Sequence, residues 1–186
     1  MESLNHRQRL QTTAAIPFGI ALGSNLGDRE PNLRCGVEML IQRIPGACLL
    51  AAGALYETDP VDCAPGTQAF LNTVIEMAAG VTPHTLHAHL QAVEQALGRP
   101  AQREKNAPRR LDMDLLYVGD FVSDDPVLIV PHPRLHLRRF VLQPLADIRP
   151  ELVLPGHVQT IAEHLAALED DPAAVRRVGM WCAGSY

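Results

Sequence analysis

Two aspartates separated by one residue are the strongest candidates for chemistry in this chain. Asp112 and Asp114 lie in the stretch RRLDMDLLYVGD, whose other residues are typical of a buried strand. Because residues i and i+2 of a strand point to the same side, we predict that the two carboxylates project together, with Cα atoms ~6.6 Å apart. That separation suits carboxylates that share two metal ions, since such ions lie about 3.5–4 Å apart.

The same alternation leaves a second interpretation open. Leu111, Met113 and Leu115 are predicted to point into a core on the opposite side of the strand. Asp112 and Asp114 would then be ordinary ion-paired residues on a solvated face. The apolar run LLYV that follows predicts a strand covered on both faces, and therefore a central strand with the aspartates at one end.

The distribution of basic residues favours an anionic ligand beside this strand. Eight of the 16 lysines and arginines lie in two short segments, residues 99–110 and 134–139. Eight cations exceed what two carboxylates can neutralise, and Mg²⁺ commonly combines one or two carboxylates with substrate phosphates. Phosphoryl transfer needs mainly metal, cationic clamps and alignment, and no covalent nucleophile. The pattern therefore predicts a polyphosphate substrate, and no residue is assigned as a general base.

Four other polar features give weaker signals. The stretch GSNLG, residues 23–27, is neither a dinucleotide fingerprint nor a P-loop, so we interpret it as a strand-to-helix turn. His87 and His89 point about 160° apart around a helix, which favours surface histidines over metal ligands. Glu94 borders an apolar helix stripe and His132 is fixed between two prolines. For both, a structural role and a binding role stay open.

Composition and charge limit the classes of protein that fit this chain. Its 186 residues are 47% hydrophobic and 20% charged, which predicts a globular domain with a sizeable core. The net charge of −5 argues against general binding to nucleic acid or to an acidic membrane. The four cysteines form no C-x-x-C pair, and no stretch resembles a membrane span or a signal peptide. We expect a cytoplasmic protein with reduced thiols.

The order of the predicted elements indicates an α+β fold, with a ferredoxin-like sheet and helices packed on it. The elements predicted from apolar periodicity and turn residues are strands at 18–22, 48–57, 69–79 and around the two aspartates, helices that begin at Asp28 and Thr82, a hairpin at 121–130, an irregular or briefly helical stretch at 131–145, a helix near 160–168 and a strand near 174–178. We predict a single domain over residues 18–180, with flexible tails at 1–17 and 181–186.

Seven motifs together resemble the 6-hydroxymethyl-7,8-dihydropterin pyrophosphokinase family of the folate pathway. In chain order they are ALGSNLGD, YETDPV, FLN, QAVEQALGR, APRRLDMDLL, VPHPRLHLRRFVLQPL and PEL, and the resemblance runs from Gly19 to about Leu154. The APR-x-LD-x-D and VPHPR motifs are highly specific in combination. The resemblance implies a ferredoxin-like fold and transfer of the β,γ-pyrophosphate of ATP to the hydroxymethyl group of the dihydropterin, with AMP released. It also implies two Mg²⁺ ions that bridge the ATP phosphates.

The resemblance assigns a role to each matched residue. The predicted catalytic set is Arg99, Arg109, Asp112 and Asp114, in which the two aspartates bind metal, Arg109 contacts phosphate and Arg99 acts from a mobile loop over residues 99–109. The predicted ATP contacts are Gln91, Glu94, Arg103, Arg109, Leu115, Ile129, His132 and Arg138. The predicted pterin contacts are Thr58, Val61, Phe70, Asn72, Asp112 and Phe140.

The residue types assigned to the pterin pocket fit a flat heterocycle. Phe70 and Phe140 can sandwich such a ring, and the amide of Asn72 supplies both a donor and an acceptor for its edge. Only 4% of the chain is aromatic, so two phenylalanines at these positions are informative. Some loop positions depart from a well-studied branch of the family. A second loop arginine falls on Ala101, for which Arg103 substitutes, and Arg110 replaces a threonine.

A different class of function is a non-catalytic RNA-binding module of the same fold. Such a sheet would show interleaved aromatics and a basic surface, whereas this chain has carboxylates on the strand in question and a net negative charge. A family member that binds ATP without transferring it is disfavoured by the intact set of aspartates and arginines. We therefore expect ATP and the dihydropterin as partners of a monomer that binds neither nucleic acid nor a membrane.

Overall fold

The structure, a computed structural model, describes residues 14–60, 66–99, 108–168 and 175–181. Its elements in chain order are β1 (Ile16–Ser24), α1 (Arg29–Arg43), β2 (Cys48–Ala52), β3 (Leu55–Thr58), β4 (Phe70–Ala79), α2 (Pro83–Ala96), β5 (Asp112–Val118), β6 (Ser123–Asp125), β7 (Leu128–Val130), a 3-10 turn (Leu135–Leu137), α3 (Arg139–Ile148), α4 (Ile161–Ala167) and β8 (Val175–Gly179). None of the helices in these ranges is long and apolar enough to cross a membrane.

One six-stranded sheet organises the molecule. Its strands lie in the order β5-β1-β4-β3-β8, and β2 pairs with β4 beyond the end of β3. Every pairing is antiparallel, and β6 and β7 form the separate hairpin that the sequence predicts. Helices cover the sheet, so the predicted α+β, ferredoxin-like fold is confirmed.

Two hydrophobic cores lie on opposite faces of the sheet. The first core packs α1 and α2 against one face, through Leu33, Val37, Leu40, Leu86, Leu90 and Val93. The second core packs α3 and α4 against the other face, through Val141, Leu142, Leu145 and Ile161. Adjacent residues of β4 show the alternation, because Val74 belongs to the second core and Ile75 to the first. Burial on both faces explains why β4 carries so few exposed side chains.

The helix that carries Glu94 begins and ends as its sequence predicts. The side chain of Thr82 accepts a hydrogen bond from the Thr85 N–H at 3.2 Å, and Pro83 occupies the first turn of α2. Gly98 follows the helix with a φ of 95°, a conformation that favours glycine. These signals fix where α2 ends relative to the sheet, and so where Glu94 lies.

The strand predicted over residues 48–57 is two strands. Gly53 and Ala54 interrupt it, because the Gly53 N–H donates to Val74 O at 2.8 Å and the Ala54 N–H donates to the carboxylate of Asp147 at 3.0 Å. A Cβ at Gly53 would collide with the backbone of Pro144 in α3. The chain therefore bends where α3 presses on the sheet, a contact that the local sequence does not reveal.

The prediction that the aspartate strand is central was wrong. β5 lies at the end of the strand order and pairs only with β1 among the described strands of the sheet. Its outer edge is satisfied by other groups, since Met113 N–H donates to Glu94 Oε1 at 2.9 Å and His132 N–H donates to Leu116 O at 2.8 Å. The sequence of β5 resembles that of a central strand because helices cover both of its faces, and side-chain and loop groups cover its edge.

Three further boundaries differ from the predictions. The stretch predicted to be irregular or briefly helical, residues 131–145, holds a 3-10 turn and most of the ten-residue helix α3, which has Pro144 inside it and continues to Ile148. Ile16 pairs with Ala79 in β1, so the N-terminal tail cannot extend to residue 17. Trp181 is buried in the first core and lies under the guanidinium of Arg34, so it belongs to the domain and not to a C-terminal tail.

Gly53→Ala is expected to lower the free energy of unfolding by about 1–3 kcal/mol, because the added methyl group must displace the backbone of Pro144. Gly179→Ala is the matched control, since a Cβ there would lie 3.8 Å from Leu55 Cδ1, an ordinary contact. Urea unfolding of both variants measures the difference. Equal stability of the two variants would show that α3 does not press on the sheet at Gly53.

Candidate functional site

Three neighbouring strands contribute one row of residues at the end of the sheet that carries the aspartates. Gly23 of β1 is paired with Asn72 of β4 on one side and with Asp112 of β5 on the other. A Cβ at Gly23 would lie 2.9 Å from Asn72 Oδ1 and 4.0 Å from Asp112 Cβ. Because Gly23 has no side chain, the amide oxygen of Asn72 can lie directly over it, beside Asp112.

Two arginines hold the first aspartate. Arg109 Nη1 donates to Asp112 Oδ1 at 2.9 Å, and Arg99 Nη1 lies 3.5 Å from the same oxygen. Arg99 also forms a close ion pair with Glu94 Oε1. The structure thus brings three of the four predicted catalytic residues into one cluster, namely Arg99, Arg109 and Asp112. Arg99 connects this cluster to Glu94.

Glu94 connects this cluster to the edge of β5. It is 3% exposed, and its Oε1 accepts the N–H of Met113, the residue between the two aspartates. Burial raises the pKa of Glu94 to about 7, while the Met113 N–H and the charge of Arg99 act in the opposite direction. Glu94 therefore serves in this structure as a buried anchor for the aspartate strand, a role that the sequence left open.

The second aspartate has its own arginine. Arg138, which precedes α3, donates from Nη1 to Asp114 Oδ2 at 3.4 Å. Its guanidinium also lies 5.6 Å from the ring centroid of Phe140. Arg109 shows the same combination, because its guanidinium lies 5.8 Å from the ring centroid of Phe70. Each arginine thus contacts one aspartate and one of the two predicted pterin-stacking rings.

His132 is held at the edge of the same site. Its Nδ1 accepts the Arg134 N–H at 3.2 Å, and burial lowers the pKa of its imidazole. The positive charges of Arg138 and Arg134 lower that pKa further, against the opposing effect of Asp114. The ring is therefore neutral at pH 7, and because Nδ1 is an acceptor its proton lies on Nε2. His132 can donate one hydrogen bond from Nε2 to an anion.

The amide of Asn72 has a defined orientation. Its Nδ2 donates to Thr58 Oγ1 at 2.8 Å, and both side chains are buried. In this orientation Oδ1 is the amide atom that lies against Gly23. The predicted pterin contacts Thr58 and Asn72 therefore lie together beside Asp112.

The remaining predicted positions are more dispersed. Gln91 is exposed on α2 and lies 3.0 Å from the ring nitrogen of His87, and Ile129 is 44% exposed on β7. Leu115 is 5% exposed in the first core, so any contact that it makes with ATP must use its main chain. The predicted contacts Arg103 and Val61 lie outside the described residues.

Sequence reasoning missed three residues of the site. Gly23 and Asn25 lie in the stretch interpreted only as a turn, yet Gly23 is paired with both Asn72 and Asp112, and Asn25 accepts the Arg109 N–H at 2.8 Å. His87 was predicted to be a surface histidine, but it is partly buried, contacts Gln91 and feels the charge of Asp114. The i,i+4 spacing of His87 and Gln91 could have indicated their contact, whereas no local signal could identify the bond between Asn25 and Arg109, which are 84 positions apart.

The donor set fits a metal ion that takes most of its ligands from a substrate. Among the residues that the structure describes, no group of three or more histidines, cysteines, aspartates or glutamates could hold a metal ion. Asp112 and Asp114 supply two partly exposed carboxylates on one side of β5. Mg²⁺ is commonly bound in this manner, with phosphate oxygens and water completing an octahedron.

Similarity to known proteins agrees with this geometry. A model of the 7,8-dihydro-6-hydroxymethylpterin-pyrophosphokinase family matches residues 19–150. The chain is 40% identical over 160 residues to the 2-amino-4-hydroxy-6-hydroxymethyldihydropteridine pyrophosphokinase of Methylorubrum extorquens, covering 86% of this chain and 96% of that protein. It is 37% identical over 157 residues to the Bacillus subtilis protein of the same name, covering 84% of this chain and 87% of that one.

Solved structures show the same fold. A Plasmodium falciparum HPPK-DHPS crystal structure aligns with a TM-score of 0.65 at 14% sequence identity, over 86% of this chain and 44% of that longer chain. At this identity the likeness supports the fold alone, and the family rests on the sequence matches over most of the chain. The family predicted from the motifs is thereby confirmed, and the chain belongs to the 7,8-dihydro-6-hydroxymethylpterin-pyrophosphokinase family, which acts in folate biosynthesis.

Proposed function

We propose that this pyrophosphokinase transfers the β,γ-pyrophosphate of ATP to the hydroxymethyl group of 6-hydroxymethyl-7,8-dihydropterin and releases AMP. Family membership supports the reaction class. The structural observation that carries the proposal is the row Asn72–Gly23–Asp112, with Arg109 bound to its carboxylate end. An amide oxygen thus adjoins an acidic and cationic cluster of the kind that phosphoryl transfer requires.

The proposed gap for the dihydropterin lies beside Gly23, between Asn72 and Asp112. Phe70 and Phe140 would stack on its faces, and Asn72 Oδ1 would accept a hydrogen bond from its edge. Thr58 contributes indirectly, because its hydroxyl holds the Asn72 amide in the required orientation. In this pose the hydroxymethyl group points toward Asp112. The proposed pocket also includes Val61.

The two aspartates are proposed to hold Mg²⁺ together with the ATP phosphates. Asp112 and Asp114 have the spacing and the partial exposure that this role needs. Two Mg²⁺ ions, when bound there, would neutralise charge on the β- and γ-phosphate oxygens. The protein's part is to present both carboxylates on one side of a strand whose edge Glu94 and His132 hold in place.

The arginines are proposed to exchange partners when MgATP binds. In the structure Arg99 and Arg109 are bound to Asp112, and Arg138 is bound to Asp114. When the aspartates take up cations, the guanidinium groups become available to phosphate oxygens, for which their planar donors are suited. Charge is balanced before and after the exchange, so neither state leaves an uncompensated ion in this half-buried site.

Six further contacts to ATP are proposed. Release of Arg99 would free Glu94 to accept hydrogen bonds from the nucleoside, and Gln91 lies less than one turn away on the same helix. His132 would donate from Nε2 to a phosphate oxygen, and Ile129 would contact the nucleotide through its exposed side chain. Leu115 and Arg103 complete the proposed set. The protein is also proposed to act as a monomer.

Purified protein with MgATP and the dihydropterin alcohol is expected to form AMP, and Asp112→Asn is expected to lower that rate by at least about 10²-fold, because it removes a charged metal ligand. AMP is measured with and without the pterin, which separates transfer from idle hydrolysis of ATP. Asp120→Asn, at an exposed turn residue beyond β5, is the control and should retain the wild-type rate. Formation of ADP in place of AMP would refute pyrophosphoryl transfer.

The stability of the protein is expected to depend on pH through Glu94. Between the ordinary value of 4.5 and the pKa of about 7 in the folded protein, the folded state binds more protons at Glu94 than the unfolded state. The contribution of Glu94 to the free energy of unfolding therefore falls as pH rises through this window. Glu94→Gln cannot titrate, so its stability relative to wild type is expected to rise from about pH 4.5 to about pH 7.

Chemical unfolding at a series of pH values measures this difference. Glu38→Gln is the control, because Glu38 is exposed on α1 and its substitution should give a difference that does not change with pH in this way. A constant difference for Glu94→Gln would mean that Arg99 and the Met113 N–H outweigh burial and keep Glu94 ionised throughout.

A further inference from the structure

Asn25 is a buried polar residue that the proposed mechanism does not use. It directly follows β1 and is 1% exposed, although it lies in a turn. Its backbone N–H donates to Arg109 O at 3.1 Å, and its side-chain Oδ1 accepts the Arg109 N–H at 2.8 Å. One residue thus binds both polar backbone groups of Arg109 and fixes the peptide units on either side of its Cα.

Regular strand pairing does not reach this point. The ladder between β1 and β5 ends at Gly23 and Asp112, and Arg109 precedes β5. The side-chain amide of Asn25 replaces a backbone carbonyl and extends the attachment to Arg109. Its orientation is fixed, because an amide nitrogen facing the Arg109 N–H would place two donors together. Asn25 Nδ2 is then buried without a partner among the described residues.

An amide nitrogen buried without an acceptor lowers stability, so stability alone does not account for asparagine at this position. The bond to Asn25 Oδ1 holds in place the backbone from which the Arg109 side chain extends. That side chain donates to Asp112 Oδ1 at 2.9 Å and lies over Phe70, so it adjoins both the acidic cluster and the proposed pterin gap. A displaced backbone at Arg109 would move its guanidinium away from both.

We infer that Asn25 is a positioning residue, which fixes the backbone of Arg109 so that its guanidinium is aligned for the transferring phosphates. The inference rests on the phosphate-clamp role proposed for Arg109. Asn25 itself acts through Arg109 and touches neither substrate. Because alignment matters most in the transition state, loss of the anchor should reduce kcat more than it weakens binding of either substrate.

The chain offers a matched control in the same turn. Asn32 Nδ2 donates to Leu26 O at 2.8 Å and to Ser24 Oγ at 3.3 Å, so it holds the turn from its other side and is not bonded to Arg109. Asn25→Ala is expected to lower kcat about 10²-fold, while the Kd values of MgATP and the dihydropterin change by less than about threefold. Asn32→Ala is expected to keep kcat within about threefold of wild type, even where its Tm falls.

A conservative variant tests the atom that carries the effect. Asn25→Asp keeps an oxygen where Oδ1 accepts the Arg109 N–H, so it should restore kcat to within about tenfold of wild type. If Asn25→Ala and Asn32→Ala lower kcat equally, or if Asn25→Ala retains the wild-type kcat, the positioning role is overturned. If Arg109→Ala retains the wild-type kcat, the clamp proposed for Arg109 fails and the inference fails with it.

Hydrogen exchange on the wild-type protein tests the anchor without a substitution, in case Asn25→Ala does not fold. The Arg109 amide is expected to exchange slowly, as the Met113 amide bound to buried Glu94 should, because each donates to a buried side-chain oxygen. Its protection should persist with both substrates bound. Exchange of the Arg109 amide at the rate of an unstructured peptide, in either state, would overturn the inference.

Discussion

The pairing of β1 with both β4 and β5 is the constraint on which the site depends. Antiparallel register places Gly23 between Asn72 and Asp112. The same register directs Met113 and Leu115 into the first core. A slip by one residue would bury both aspartates and expose the apolar side chains. Burying unpaired carboxylates in that core would cost free energy, which disfavours the slipped register. The hydrophobic pattern of β5 therefore selects the pairing register that forms the site.

Charge at the site is arranged so that no ion is isolated. Glu94 is almost fully buried, yet it has Arg99 and the Met113 N–H as partners, and each aspartate has at least one arginine. Removing one member of such a network leaves its partner uncompensated in a region of low dielectric, which destabilises more than loss of a surface pair would. The two interpretations of the aspartates, as metal ligands and as ion-paired residues, are therefore compatible, because the proposed metal ions would replace the arginines as partners of the carboxylates.

Local patterns were sufficient for features that depend on neighbours in sequence, and they failed where distant segments meet. Thr82 and Pro83 begin α2 and the aspartates share one side of β5, because capping and strand alternation act over a few residues. The strand breaks at Gly53 because Pro144 of α3 packs against it. The edge of β5 is covered by Glu94 and His132, which are distant from each other in sequence. α3 itself was obscured by Pro144, which signals a break but is tolerated here by packing in the second core.

Two arginines each join an aspartate to an aromatic ring, Arg109 between Asp112 and Phe70 and Arg138 between Asp114 and Phe140. Under the proposed function, a planar ligand that stacks on the ring face covered by a guanidinium would displace a group also assigned to the nucleotide phosphates. A phosphate that draws on that guanidinium would in turn change the surface offered to the planar ligand. The affinities of the two substrates are then linked, and thermodynamic reciprocity makes the factor by which each alters the other identical. With those roles, substrate cooperativity in this small domain would need no moving subunit, because the shared side chains would couple the two sites.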